Sequence, residues 1–178
     1  ELARSIFGNP DGWRLSGKLI FQGKERGYAN PHEAIRSGMA YVTEDRKGNG
    51  LVLISDVKGN ITLANLRAIA DAGVINDNEE IVIANRYRQE MDIRTPSIAQ
   101  KVQNLSGGNQ QKVSLAKWLF VQPKLMILDE PTRGIDVGAK YEIYLLMNQL
   151  VEQGMSIIMI SSELPEVLGM SDRIFVLS

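Results

Sequence analysis

Leu105-Ser106-Gly107-Gly108-Asn109-Gln110-Gln111-Lys112 and the later Leu125-Met126-Ile127-Leu128-Asp129-Glu130-Pro131 decide the fold between them. In the first, a serine and two glycines open an amphipathic run, which predicts a helix N-terminus with bare amides pointing outward. Ser106 is placed to cap it, and Gly107 and Gly108 let the backbone approach a ligand with no Cβ in the way. Such an end carries partial positive charge and suits a phosphate. The second is an apolar run ending in two carboxylates and a proline. That pattern predicts a buried parallel strand delivering acids at its C-terminal edge, where α/β sheets bind ligands.

The rest of the chain supports an α/β domain. Its 178 residues are enough for one domain with a real core, and a formal charge of −1 shows no polyanion-binding excess. There is no cysteine, which excludes disulfides and thiolate metal sites. With His32 the only histidine, a histidine metal cluster or triad lacks its parts, and His32 reads as a solvated loop residue beside Pro31. No apolar run approaches the roughly twenty residues of a membrane span. No basic region leads into an apolar one as in a signal peptide, so a cytosolic domain is expected and the Asn60-Ile61-Thr62 glycosylation pattern is discounted.

In order, the periodicities predict a short helix over Glu1 to Phe7, ended by Gly8 and Pro10, and an antiparallel edge strand over Gly17 to Gly23. A helix over Pro31 to Ser37 and a strand over Met39 to Val42 come next. Helices are predicted over Asp56 to Ala72 and Asn78 to Met91, with Pro96 breaking the pattern. Another spans Asn109 to Phe120, behind the glycine pair. After the acidic strand come a helix over Ala139 to Gln153, a strand over Ser156 to Ile160, a short helix over Leu164 to Leu168 and a last strand over Ile174 to Leu177. This is a mostly parallel sheet with antiparallel edge strands, and the helices from about Asp56 to Val102 form an inserted lobe. Trp13, Trp118 and the methionines read as packing residues.

The two deciding stretches, in this order, resemble the ATP-binding cassette family: Leu105 to Gln110 its signature, and Leu125 to Glu130 its Walker B strand with the following acid. The resemblance implies a P-loop NTPase-like ABC ATPase domain with a helical subdomain over residues 56–122, and ATP and magnesium as cofactors. Two such domains sandwich ATP, so each site is composite. Asp129 would hold magnesium through water, and Glu130 would polarise the attacking water. Asp136 matches the D-loop that speaks across the dimer. Ser106, Gly107, Gly108 and Gln110 would serve, in trans, the nucleotide bound by the partner. On that reading Gly108→Asp sets a carboxylate against the γ-phosphate and suppresses transport.

Three departures narrow the resemblance. No G-x-x-x-x-G-K-[ST] occurs, and in the family that loop lies just before a helix like Glu1 to Gly8, so the chain is read as a partial cassette, truncated after its Walker A loop. Glu44 stands at the Q-loop glutamine position, bringing negative charge and losing amide donors. Ser162 stands where the family's switch histidine belongs, with the alternative of a cap for the helix at Leu164. Together with Tyr41 to Lys47, Asp129 to Lys140 and Ser161 to Glu166, these features resemble the second nucleotide-binding half of bacterial monosaccharide importer ATPases, the ribose, galactose and xylose class. That class implies an ATPase whose own site here is degenerate and whose fragment alone is inactive. The implied partners are the first nucleotide-binding domain of the same protein (or a homodimer mate), a membrane permease and, indirectly, a periplasmic sugar-binding protein. The expected location is the cytoplasmic face of the bacterial inner membrane. The competing readings are an ABC-type machine acting on nucleic acid or ribosomes, which would show a basic arm or a coiled-coil insertion, and a non-catalytic regulatory cassette. No nucleic-acid partner is expected.

Overall fold

The computed structural model describes residues 1–9 and 11–177, so Pro10, expected to help end the first helix, lies outside the described residues. At the centre is β6 (Leu125–Asp129), flanked in parallel by β3 (Met39–Val42) and β7 (Ser156–Ile160). The apolar run Met126-Ile127-Leu128 is fully buried because helices cover both faces of a parallel sheet. Burial of each such side chain contributes about 2 kcal/mol before ordering entropy is subtracted. The register sets Val42 beside Leu128 and Asp129 beside Ile160. The three strands therefore release the chain side by side, at Thr43, Glu130 and Ser161.

The connecting helices start where side-chain acceptors meet first-turn amides. Asn30 caps α2 (Pro31–Arg36), Asp56 caps α3 (Val57–Thr62), and Asn76 caps α4 (Asp77–Glu90). Ser106 caps α5 (Gly107–Leu119) and Asp136 caps α6 (Val137–Glu152). The first helix, α1 (Leu2–Ile6), stops before Gly8, whose φ is +91°, and a Cβ there would lie 2.3 Å from the Asn30 carbonyl carbon. Only glycine allows that approach. The last helix is α7 (Leu164–Met170). Trp118 joins the two parts of the core, one built around Leu115, Met126 and Ile143 and the other around Phe7 and Met39.

Four expectations need correction. The helix expected over Asp56 to Ala72 is only α3. A 3-10 stretch, Leu63–Ile69, follows with a non-helical Asn65 at φ −145°, and then a hairpin of β4 (Ala70–Asp71) and β5 (Val74–Ile75). Ala72 and Gly73 turn it with positive φ, a conformation that no helix continues through. The run 174–177 is not a strand: β-propensity needs a ladder partner, β7 pairs with β6, and Val176 is 90% exposed. Trp13 stands outside both core clusters. His32 is exposed as expected, but on α2 rather than in a loop. The antiparallel strand β1 (Leu19–Phe21) pairs with a second one, β2 (Lys24–Arg26), in a separate two-stranded sheet.

Candidate functional site

Asp129 ends β6 half-buried, and the Tyr41 hydroxyl of neighbouring β3 donates to its Oδ2 at 2.8 Å. Burial above all, then the hydrogen bond to Asp129 and that group's charge, push the Tyr41 hydroxyl up to about 12. Tyr41 therefore stays protonated and acts as a fixed donor, steering the carboxylate. A magnesium ion keeps most of its waters and takes one or two carboxylates plus phosphate oxygens. One steered aspartate fits that demand. Among the described residues no group of three or more His, Cys, Asp or Glu is arranged to hold a metal, so an ion here would rely on nucleotide and water oxygens. Tyr41→Phe should lower stability by about 1 kcal/mol through the lost hydrogen bond, read as a shifted urea midpoint. An unshifted midpoint would mean the bond contributes nothing net.

Glu130 follows at φ 48°, a left-handed conformation costing a non-glycine residue about 1 kcal/mol. Two contacts set it in place. Its N–H donates to the Ile160 carbonyl at 2.8 Å, and its Oε1 accepts the Ser162 N–H at 2.8 Å. Ser162 thus meets Glu130 through its backbone, a contact that side-chain chemistry does not announce. Nor does Ser162 cap α7: the N-cap is Glu163, whose N–H donates to Ser161 Oγ at 3.0 Å. Glu44 is exposed and ion-paired with Arg133 at 2.9 Å, so the extra negative charge expected there is matched by a cation. An exposed pair of this kind adds little stability.

The N-terminus of α5 forms the second half of the site. Ser106 Oγ accepts from the Asn109 N–H at 3.4 Å and from Asn109 Nδ2 at 2.9 Å. The first-turn amides of Gly107 and Gly108 have no acceptor within the helix, as at any helix start. The glycines themselves face inward. A Cβ on Gly107 would sit 3.2 Å from the Gly134 carbonyl oxygen, and one on Gly108 would sit 2.5 Å from the Ala139 Cβ. Their missing side chains let α5 pack on the loop that leads into α6 and on the first turn of α6 itself. Asp136 lies in that loop and spends its Oδ1 on the Ala139 N–H at 2.9 Å. Ser106, Gly108, Asn109, Asp136, Arg94 and Glu142 line a cavity of about 150 Å³ where the two helix starts converge.

Gln110, also expected at the nucleotide, turns its side chain inward. It is 5% exposed, and its Nε2 donates to the Val102 and Leu105 carbonyls at 3.2 and 3.3 Å. Its side chain ties the segment before the helix to the helix's first turn. A larger cavity, about 430 Å³ between Lys58, Asn85, Arg88 and Ser97, lies apart from all these residues. Its cations are already engaged, Lys58 by Glu80 and Arg88 by the Thr95 carbonyl. Tyr41, Arg133 and Arg46 make contacts that no sequence motif announces. Arg46 is buried under α5, where Nη1 donates to Gln111 Oε1 at 3.1 Å, and burial lowers its pKa. A charged residue just after an apolar strand was the one available signal.

Comparison with known proteins bears on the family and the fold. The family model described as ABC transporter matches residues 1–133. The chain is 56% identical over 178 residues to the L-arabinose transport ATP-binding protein AraG of Geobacillus stearothermophilus, covering 100% of this chain and 35% of that protein. It is 56% identical over 177 residues to the xylose import ATP-binding protein XylG of Thermoanaerobacter pseudethanolicus, covering 99% and 35%. The chain thus spans about a third of the length of the curated relatives it matches. Among solved structures, a nucleotide-free ATP-binding cassette from an ABC transporter superposes with a TM-score of 0.76 at 18% identity, covering 96% of this chain and 68% of that one. A cassette in its ADP conformation gives 0.74 at 20% identity, with the same coverage. At such identities the likeness establishes the fold.

Proposed function

This chain belongs to the ABC transporter family, and on that premise we propose that it is part of an ATP-binding subunit that energises import of a monosaccharide. The sugar class is supported by relatives named as ATP-binding proteins of arabinose transport and of xylose and ribose/galactose import. MgATP is held between two cassettes, and this chain supplies Ser106 and the amides of Gly107 and Gly108 to the nucleotide bound by the other. Asp129 takes magnesium through water, and Glu130 orients the attacking water in its own, weakened site. Residues 56–122 act as the helical subdomain that passes closure to a membrane permease at the cytoplasmic face. The other cassette is the first half of the same protein or a second copy, and a periplasmic sugar-binding protein contributes indirectly.

One observation carries this reading. The α5 N-terminus sits beside that of α6, where Val137 is 84% exposed, so the face with Ser106 and Asp136 is open to a partner. Glu44, meanwhile, is neutralised by Arg133. The chemistry on offer is phosphate binding across an interface, with oriented amides and a hydroxyl.

The test is transport and ATP hydrolysis by the complete importer carrying Ser106→Ala or Glu130→Gln. Loss of the Ser106 hydroxyl should reduce turnover about tenfold, and Glu130→Gln should have the smaller effect. An equal or larger loss with Glu130→Gln would mean that this chain's own site also turns over. Full activity with Ser106→Ala would remove the Ser106 hydroxyl from the contribution in trans.

A further inference from the structure

We propose that Glu166 is a positioning residue for Glu130: its buried carboxylate ties the loop after β6 to the loop after β7 and so holds the Ser162 amide in place. The inference rests on the reading of Glu130 as the water-orienting acid, but its structural part can be tested separately. Glu166 is 4% exposed. Its Oε1 accepts the Thr132 hydroxyl at 2.8 Å, and its Oε2 accepts the Ser161 hydroxyl. Thr132, itself 1% exposed, lies two positions after Glu130, and Ser161 lies one before Ser162. The carboxylate therefore grips both loops next to the Glu130–Ser162 contact.

The ordinary role of a glutamate at the third position of a helix is different. There it reaches back to the N-cap amide. In α7 that amide, of Glu163, goes to Ser161 Oγ, and Glu166 turns to the two hydroxyls. Burying a carboxylate is costly unless donors satisfy it, so the two hydroxyls are held as firmly as they hold it. A side chain kept only to start a short helix would have no need of Thr132, 34 positions away.

Amide hydrogen exchange, followed residue by residue by NMR on this chain, tests the proposal. In Glu166→Ala the Ser162 and Glu130 amides should exchange roughly tenfold faster, while amides inside α5 and β6 keep their protection. Glu166→Gln retains the shape and an acceptor and should restore most of the protection. Ser161→Ala cuts one of the two ties, together with the Glu163 amide contact, and leaves the Glu166 carboxylate bound to Thr132. If Glu166→Ala does not fold, Ser161→Ala decides, with faster exchange at Ser162 expected. Unchanged exchange at Ser162, or a uniform rise across the whole chain, would overturn the positioning role. A selective rise at Ser162 with unchanged ATP hydrolysis by the complete importer would instead uphold the positioning and remove Glu130 from the chemistry.

Discussion

Gly108→Ala should destabilise the protein by about 1–3 kcal/mol, and adding Ala139→Gly should recover most of that loss. The added methyl would stand 2.5 Å from the Ala139 Cβ, a separation that forces one helix to move. Both helices are long and capped, α5 by Ser106 and α6 by Asp136, so neither yields cheaply. Removing the opposing methyl reopens the space. Its own cost, a glycine in a helical first turn, is less than about 1 kcal/mol. Urea unfolding of the single and double variants gives the comparison. A wild-type midpoint for Gly108→Ala, with transport lost, would mean that the glycine is kept for a ligand rather than for packing. The same geometry changes what Gly108→Asp reports. The new side chain would set out toward Ala139, so suppressed transport in that variant combines disrupted helix packing with any repulsion of phosphate.

Glu142→Gln should cost about 2–3 kcal/mol near neutral pH, because it leaves a buried ammonium without its nearest carboxylate. The Lys112 side chain is only 3% exposed, and its Nζ lies 2.9 Å from Glu142 Oε2 and 2.9 Å from the Asp92 carbonyl. The Asp92 carboxylate, at 3.6 Å and largely exposed, is a weak substitute. Partial exposure of Glu142 keeps the expected loss at the lower end for a broken buried pair. The sign with pH follows from the folded state. The Lys112 hydrogen bond first, and then the charges of Lys112 and Arg94, hold the Glu142 carboxyl below its ordinary 4.5 against the opposing effect of burial. The unfolded chain thus binds its proton at higher pH than the folded one does. The pair's stabilisation is fully present above the ordinary value and is lost as pH falls through the depressed one. Unfolding midpoints of wild type and Glu142→Gln should converge in acid. A gap that stays constant from pH 7 to well below 4.5 would place the effect in packing rather than charge.

Local pattern determined much of this protein. The cap at Ser106, the apolar strand ending at Asp129 and the helical periods behind them could be read because each signal lies within a few residues of its effect. Those signals place two acids at a sheet edge and a glycine-led helix start after Leu105, and they carry the family resemblance. Tertiary structure decided where the side chains point and what they meet. Gln110 turns inward, where its Nε2 donates to the carbonyls of Val102 and Leu105. Gly107 and Gly108 are used by the loop entering α6 and by the first turn of α6, which pack against them from more than twenty residues away in sequence. Ser162 serves Glu130 with its amide, a group every residue but proline owns, so no residue type could have announced it. The run 174–177 has a strand's composition but no ladder, because pairing is a property of two segments and composition belongs to one. Local sequence chose the elements through short-range backbone preferences and apolar period, and long-range packing chose the contacts that give those elements their roles.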